Sequence, residues 1–308
     1  MTTVTVRVPA KINLQLAVGP LRADGYHGLV TVFQAISLCD EVTVAPARTD
    51  AVTVTGEGAE QVPDGSDNLA LRAVAALRAV TAPRGKGPGG QGGVAVAIRK
   101  RIPVAAGLAG GSADAAAALV ACNELWRAGL PLQALTEVAG GVGSDVAFAL
   151  LGGTAVGRGR GEQLTPALVA PARYHWVLAF AEGQLSTPAV YGALDRARGT
   201  EPAPEPELSS ELMSALRAGD PRRVGEALVN DLQAPAISMF PALRKTLDAG
   251  REFGALGALV SGSGPTCVFL TRNASHATDL AVMLSGAGVC RSVTRAAGPA
   301  SGAVVIER

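Results

Sequence analysis

The chain has 308 residues, of which 48% are hydrophobic and 17% are charged, and its formal net charge is +1. This balance excludes a disordered chain and supports a large buried core, and the length favours two packed domains. A near-neutral chain without a basic stripe argues against a nucleic-acid or membrane-surface binder, so an anionic ligand must be met by backbone amides or a single lysine.

The cysteines and the N-terminal segment favour a cytoplasmic protein. The four cysteines are far apart without a CxxC or Cys/His spacing, which argues against a zinc site and predicts buried free thiols. The first residues, MTTVTVRVPAK, lack the layout of a signal peptide, and no apolar stretch is long enough to span a membrane. We expect a monomer or weak homodimer with no nucleic-acid or membrane partner.

The N-terminal part predicts strands. Residues 4–8 alternate between apolar and polar types, Pro9 is expected to interrupt the strand, and residues 12–16 alternate again. A period of two places Lys11 and Asn13 on the same strand face. Further strands are predicted over 30–38, 41–46, 51–55 and 94–98.

A helix is predicted from Asn68 to Val80, with Asp67 or Ser66 as its N-cap. The stretch RGKGPGGQGG, residues 84–93, has the composition of a flexible loop or hairpin tip.

A glycine-rich segment, Pro103 to Ser112, precedes an alanine-rich helix predicted over 113–126 with Ser112 as its N-cap. Glycines permit unusual backbone conformations and a close approach, and a helix N-terminus presents free N–H groups and partial positive charge. The segment therefore suits either tight packing or a cradle for a di- or triphosphate. It is neither a Walker A loop nor a Rossmann fingerprint.

The next helix is predicted over 132–139 and is expected to break at Gly140, Gly141 and Gly143. A short helix then starts at Ser144, which places Asp145 in its first turn. That carboxylate either complements the helix dipole or acts as a general base.

The second half begins with a strand over 174–180, continues with helical segments around a loop at 201–207, and ends with a helix and one or two strands. Two strands flank the turn SGSGPT, residues 261–266, which is either a plain hairpin turn or a second set of backbone donors. Strands and helices mix without regular βαβ alternation, so the fold class is α+β, divided into residues 1–160 and 161–308.

Three separated motifs carry a family resemblance: PAKINLQL near the start, PVAAGLAGGSADAA in the middle and SGSGPT late in the chain. The chain resembles the GHMP kinases, the superfamily of galactose, homoserine, mevalonate and phosphomevalonate kinases. This implies an N-terminal ATP-binding domain with a mixed sheet and a C-terminal ferredoxin-like α/β sandwich.

Within the superfamily, PAKINLQLAV, DGYH at 24–27 and GSDVAFAL around Asp145 resemble the family that acts in the non-mevalonate (MEP) isoprenoid pathway. The resemblance implies phosphorylation by ATP, with Mg²⁺, of the 2-hydroxyl of 4-diphosphocytidyl-2-C-methyl-D-erythritol.

The resemblance also implies individual roles. Lys11 neutralises charge near the reacting hydroxyl, Asp145 is the base, and Asn13 orients the substrate. The cytosine is held by Tyr26, His27 and Tyr191. ATP binding is assigned to Asn68 and to the loop residues Pro103, Val104, Ala105, Ala106, Gly107, Leu108, Ala109, Gly110, Gly111, Ser112 and Ala113, and closure over the phosphates to Gly262, Ser263 and Gly264.

The chain departs from the family pattern where Ala109 and Ala113 replace a glycine and a serine. No residue is assigned as a metal ligand, and we expect phosphates and water to hold most of the Mg²⁺. Two alternatives stay open: a mevalonate-type or homoserine-type alcohol as substrate, and a nucleotide-binding protein without catalysis.

Overall fold

The computed structural model describes residues 3–82, 92–199 and 203–308. Its strands are β1 (Val4–Leu21), β2 (His27–Ala47), β3 (Ala51–Gly56), β4 (Gly93–Lys100), β5 (Thr154–Arg158), β6 (Gln163–Pro166), β7 (Tyr174–Phe180), β8 (Val229–Asn230), β9 (Gly257–Val260), β10 (Cys267–Thr271), β11 (Ser292–Gly298) and β12 (Val304–Glu307). Its α-helices are α1 (Leu69–Thr81), α2 (Gly110–Leu125), α3 (Leu132–Val142), α4 (Val146–Leu151), α5 (Thr187–Arg198), α6 (Ser210–Ala218), α7 (Pro221–Glu226), α8 (Gln233–Met239), α9 (Ala242–Glu252) and α10 (Ala274–Gly286).

The first sheet has the order β12-β1-β2-β4-β3, and β5, β6 and β8 extend it. β1 and β2 are long antiparallel partners whose register runs from Val4 opposite Val44 to Leu21 opposite His27. Because β1 is an inner strand, the polar side chains that alternate along it do not lie on an open edge. The face that carries Lys11 is instead covered by the rest of the molecule.

Helix α2 packs against the first sheet and against α1. Its alanines at 115–118 and 121 are fully buried, as is Cys122. Small side chains all round the helix let it approach both neighbours closely, which explains the alanine-rich sequence. The close packing fixes the N-terminus of α2 against the sheet.

The second sheet is antiparallel with the order β11-β7-β10-β9. Along the chain its strands and the covering helices follow the sequence β7, helices, β9, β10, α10, β11. This βαββαβ connectivity is that of a ferredoxin-like sandwich, as expected. Its core includes Phe269 and Leu280, both with no exposed surface.

Several sequence-based boundaries were wrong. Pro9 does not interrupt β1, because a register shift between Pro9 and Ala10 absorbs it. The N-cap of α1 is Asn68, whose Oδ1 accepts from Ala70 N at 2.9 Å, and neither Asp67 nor Ser66. The two strands predicted at 30–38 and 41–46 form one continuous β2.

Three helix boundaries near the glycines were also wrong. α2 begins at Gly110, with Ala109 as its N-cap residue, so Ser112 lies inside the first turn. α3 continues through Gly140 and Gly141 and ends before Gly143, because neither glycine adopts a helix-breaking conformation. α4 begins at Val146 and not at Ser144, so Asp145 is its N-cap residue and does not lie in the first turn.

The predicted loop at 84–93 lies outside the described residues except for 92 and 93, and the one at 201–207 is described from 203 onwards, where it is irregular. Of the four free thiols, Cys122 and Cys267 are buried, whereas Cys39 and Cys290 are half-buried.

Strand β12, at the end of the chain, pairs with β1 in the first sheet. The domain division at residue 160 stays a prediction. In the described parts of the chain, no helix combines the length and the hydropathy needed to cross a bilayer.

Candidate active site

The glycine-rich segment forms a loop between β4 and α2. Three of its residues have positive φ angles: Ala105 at 53°, Gly107 at 74° and Ala109 at 59°. The left-handed conformation costs a non-glycine residue roughly 1–2 kcal/mol. Ala109 thus adopts, with its methyl group, the backbone conformation that a glycine would adopt more easily.

Ala109 also shapes the start of α2. It has no side-chain acceptor, and among the described residues no side chain caps this helix end. The first-turn N–H groups of Gly110, Gly111 and Ser112 have no partner within the helix, and all three residues line the adjoining cavity. This arrangement, together with the helix dipole, favours a bound anion.

The late turn SGSGPT docks on this loop. A Cβ at Gly107 would lie 2.2 Å from the carbonyl oxygen of Ser261, so only glycine permits the contact. The Ser261 hydroxyl donates to the Gly107 carbonyl at 3.1 Å. The structure thus brings the two glycine-rich motifs together, although Gly107 and Ser261 are 154 positions apart in the sequence.

Lys11 and Asn13 lie on one face of β1, as the alternation predicts. The Lys11 ammonium donates to Asn13 Oδ1 at 2.7 Å, and Asn13 Nδ2 donates to the Thr31 hydroxyl at 2.8 Å. The alternative of a lysine on a solvent-facing edge is wrong, since only 8% of Lys11 is exposed.

Asp145 lies beside Lys11, and both line a cavity of about 810 Å³. Its Oδ2 is 3.9 Å from Lys11 Nζ, and 28% of its side chain is exposed. Burial lowers the pKa of Lys11, and the nearby Asp145 carboxylate opposes that effect. The same cavity is lined by the loop from Ala105 to Gly107, by Ala109 to Ser112, and by Gly262 to Gly264.

A second cavity of about 680 Å³ adjoins the first and contains Tyr26 and His27. The ring centroids of His27 and Tyr191 are 5.1 Å apart at an interplanar angle of 31°. His27 Nε2 is 2.8 Å from Asp195 Oδ1. Because a carboxylate only accepts, Nε2 donates in this bond, and in the neutral imidazole Nδ1 is then an acceptor.

Tyr191 lines both cavities and therefore lies where they meet. Tyr26 is 55% exposed at the outer side of the second cavity. The guanidinium of Arg160 lies over the Tyr26 ring, 4.8 Å from its centroid, and Arg160 also lines both cavities. The aromatic ring of Tyr191 and the guanidinium of Arg160 thus lie where the two cavities adjoin.

Asn68 lies apart, in a third cavity of about 270 Å³ beside the loop. It is 3% exposed, its Oδ1 caps α1, and its Nδ2 donates to the Pro63 carbonyl at 2.8 Å. Its side chain therefore has a structural role in this chain, and its contact with ATP stays a prediction.

Four loop residues are not brought to the main cavity. Leu108 and Ala113 are 1% exposed and belong to the hydrophobic core. Pro103 and Val104 line a separate cavity of about 330 Å³ on the other side of the loop. Any contact of Leu108 or Ala113 with a ligand would have to come from the backbone.

Sequence reasoning missed three residues near the site. Asp195 follows Tyr191 by four positions, a spacing that places both on one helix face, and Arg160 lies between glycines in GRGRG, a cation in a turn. These two signals were available in the sequence. Asn230, whose Nδ2 donates to the carbonyls of Val260 at 2.8 Å and Gly262 at 2.7 Å, gave none.

The donors of the main cavity fit a magnesium ion only in part. Among the described residues that line it, Asp145 is the one carboxylate, beside the hydroxyls of Ser112, Ser144 and Ser263. No cluster of three or more metal-ligating side chains occurs in the described portion of the chain. Such a donor set suits an ion that takes most of its ligands from phosphates and water, which is the usual mode for Mg²⁺.

Comparison with known protein families gives two matches. Residues 68–153 match the model described as the N-terminal domain of the GHMP kinases, and residues 212–290 match the model of their C-terminal domain. The first match contains the glycine-rich loop and Asp145, and the second contains the late turn.

Relatives that match over their full length indicate one family within the GHMP kinases. The chain is 54% identical to a 4-diphosphocytidyl-2-C-methyl-D-erythritol kinase from Thermobifida fusca, with 99% of each chain covered, and 53% identical to one from Nocardia farcinica, with 99% of this chain and 96% of the relative covered.

Solved structures agree with this placement. A crystal structure of 4-(cytidine 5'-diphospho)-2C-methyl-D-erythritol kinase is 33% identical, with a TM-score of 0.75 over 95% of this chain and 98% of that chain. A homoserine kinase from Cytophaga hutchinsonii shares the fold at 17% identity, with a TM-score of 0.74 over 99% of this chain and 98% of that chain. The chain therefore belongs to the GHMP kinases and, within them, to the 4-diphosphocytidyl-2-C-methyl-D-erythritol kinase family.

Proposed function

We propose that this chain transfers the γ-phosphoryl group of ATP to the 2-hydroxyl of 4-diphosphocytidyl-2-C-methyl-D-erythritol, a step of the non-mevalonate (MEP) isoprenoid pathway. The observation that carries the proposal is the placement of Lys11 and Asp145, with Nζ and Oδ2 3.9 Å apart, in the cavity that the glycine-rich loop lines. An acid–base pair beside an anion cradle is what phosphoryl transfer to an alcohol needs.

In the proposed reaction, Asp145 accepts the proton of the substrate hydroxyl while the hydroxyl oxygen attacks the γ-phosphorus. The bond from the γ-phosphorus to the β,γ-bridging oxygen breaks, and ADP leaves with that electron pair. The protonated Lys11 offsets the negative charge that develops between the two oxygens. Asn13 holds the ammonium in place by accepting its hydrogen bond at 2.7 Å.

The phosphates of ATP are assigned to the loop and to the first turn of α2. Free N–H groups and the helix dipole at Gly110 to Ser112 bind anions without a side-chain charge. The turn at Gly262 to Gly264 lines the opposite wall of the same cavity. Its backbone supplies a second set of donors that can close over the phosphates.

Magnesium is assigned to the same place. The Ser112 hydroxyl lines the cavity at the start of α2 and, with phosphate oxygens and water, would hold the ion. When bound, Mg²⁺ neutralises charge on the transferred phosphoryl group.

The second cavity is assigned to the cytosine. Tyr191 and His27 form its aromatic wall, and Nδ1 of His27, an acceptor in the neutral imidazole, matches the exocyclic amino group of a cytosine. Asp195 fixes the tautomer and the ring orientation of His27. Arg160 lies between the cytosine cavity and the reacting groups, where the diphosphate of the substrate would pass, so we assign it to that diphosphate.

We propose a monomer or weak homodimer as the active form. The four free cysteines support a reducing, cytoplasmic environment.

A coupled assay of ADP release tests the proposal. The enzyme is given ATP and Mg²⁺ with the cytidylyl substrate, with mevalonate or with homoserine. Turnover is expected with the cytidylyl substrate alone. Turnover that favours mevalonate or homoserine would overturn the assignment of the second cavity, and binding of ATP without turnover of any alcohol would favour a non-catalytic nucleotide-binding protein.

A further inference from the structure

Three ionisable side chains form a buried cluster beneath the glycine-rich loop: Asp40 on β2, Lys100 at the end of β4, and Asp114 on α2. Lys100 Nζ donates to Asp40 Oδ2 at 2.5 Å and to Asp114 Oδ2 at 2.7 Å. Their side chains are between 0% and 4% exposed. Burying charged groups is costly unless each is paired, so this lysine cluster has to be held in one geometry.

The cluster fixes the start of the loop. Besides Lys100, Asp40 accepts two backbone hydrogen bonds through Oδ1, from Arg101 N at 2.6 Å and from Ile102 N at 2.8 Å. These are the first two residues after β4. Asp40 therefore sets the direction in which the chain leaves the sheet.

The cluster also fixes the end of the loop. Asp114 lies one turn into α2, so its bond to Lys100 ties the first turns of that helix to the last residue of β4. A Cβ at Gly110 would lie 3.1 Å from Lys100 Nζ, which shows how closely the helix start packs on the ammonium. A rotation or slide of α2 would break the bond.

Between these anchors the loop holds two alanines with positive φ angles, Ala105 at 53° and Ala109 at 59°. Backbone in this region persists when the surrounding structure over-determines it. We infer that the lysine cluster positions the phosphate-binding loop and the N-terminus of α2 by tying both ends of the loop to one ammonium group. Asp40, Lys100 and Asp114 are thus positioning residues for ATP, an inference that rests on the proposed function of the loop.

The inference predicts that changes in the lysine cluster weaken the binding of ATP and leave the binding of the acceptor alcohol unchanged. Asp40, Lys100 and Asp114 line neither the main cavity nor the cytosine cavity, whereas Lys100 and Asp114 line the third cavity, which also holds Asn68. Displacement of the loop amides should weaken ATP binding by about 10- to 100-fold. Losses of this size are usual when a group that supports a binding site is removed or displaced. The KM of the cytidylyl substrate should stay within about twofold, because Lys11, Asn13 and the aromatic wall are held by other elements.

The test compares Asp114→Ala and Asp114→Asn with the control Asp50→Asn in the full chain. Asp50 also pairs with a cation, Arg78, at 2.6 and 2.8 Å, and also accepts from a backbone amide, Val94 N, at 2.9 Å. Its partner Val94 lies at the start of β4, six residues and about 20 Å along the strand from Lys100.

Titration calorimetry gives the Kd of Mg-ATP, and thermal unfolding gives the Tm. We expect Asp114→Ala to weaken ATP binding by at least about tenfold and Asp114→Asn, which keeps an acceptor for Lys100, to recover part of the loss. Asp50→Asn should lower the Tm and leave the Kd unchanged. Because this readout needs no turnover, it stands even where the proposed reaction fails.

Two outcomes would overturn the inference. One is an unchanged Kd in Asp114→Ala with a Tm that falls as in Asp50→Asn, which would make the cluster merely structural. The other is a shift of preference from ATP towards GTP, which would mean that Asp114 reads the base directly. If Asp114→Ala does not fold, the Kd of Asp114→Asn decides, and a value equal to that of the unmodified protein counts against the inference.

Discussion

Replacing Asp145 by asparagine removes a carboxylate without changing the shape of the side chain. Asp145 is 28% exposed and its Oδ2 is 3.9 Å from the buried Lys11 ammonium. At that distance the attraction between two unit charges is about 1 kcal/mol in bulk water and about 4 kcal/mol at an effective dielectric constant of 20. Partial exposure places the pair between these limits, so the substitution removes both the base and part of the stabilisation of charged Lys11.

Two results follow from the loss of the base and of the charge. The kcat falls by at least about 10², the usual contribution of a general base, while the Kd of ATP changes little. Burial lowers the pKa of Lys11 and the Asp145 carboxylate opposes that effect. Removing the carboxylate lowers this pKa further, so the alkaline limb of kcat/KM, where Lys11 loses its proton, moves to lower pH.

The assay is the coupled measurement of ADP release across pH, with ATP binding followed by calorimetry. Asp248→Asn is the control, because this carboxylate is 53% exposed in a surface ion pair with Arg251. Near-normal kcat in Asp145→Asn would refute the role of the base. An alkaline limb that stays in place would refute the electrostatic coupling of Asp145 to Lys11.

Four further predictions can be tested separately. Lys11→Arg should move the alkaline limb of kcat/KM to higher pH, since a guanidinium keeps its proton. An unchanged limb would mean that a group other than Lys11 titrates there. Tyr191→Ala should raise the KM of the cytidylyl substrate by about 5- to 150-fold, equivalent to about 1–3 kcal/mol of base stacking, whereas Tyr191→Phe should not. Arg160→Ala should raise the same KM and make it less sensitive to salt, and an unchanged salt dependence would count against a contact with the diphosphate. Gly250→Ala should destabilise the fold by about 1–3 kcal/mol, measured by urea unfolding, because the new Cβ would lie 2.1 Å from Phe269 Cε1; Gly286→Ala, with nothing within 4 Å, is the control.

The sequence by itself determined the local features of the site. Period-two alternation placed Lys11 and Asn13 on one face, and the structure joins them by a hydrogen bond of 2.7 Å. The strand over Tyr174–Phe180 was predicted with its observed bounds, because its hydrophobic run has clear ends. The α+β class followed from the irregular order of strands and helices.

Boundaries near glycine and proline were harder to predict from the sequence, because propensity is a weak guide where packing decides. α3 continues through Gly140 and Gly141, and β1 continues past Pro9 with a register shift. Ala109 takes a left-handed conformation that its residue type disfavours. In each case the backbone differs from the one that the residue type alone would favour.

Only the tertiary structure decided which distant residues meet. Asp195 pairs with His27 across 168 residues, and Ser261 bonds to Gly107 across 154. Lys100 joins two aspartates from different elements beneath the loop. Side-chain type and spacing specify what one element presents, whereas the partner on another element is set by how sheets and helices pack, and that information is spread over the whole chain.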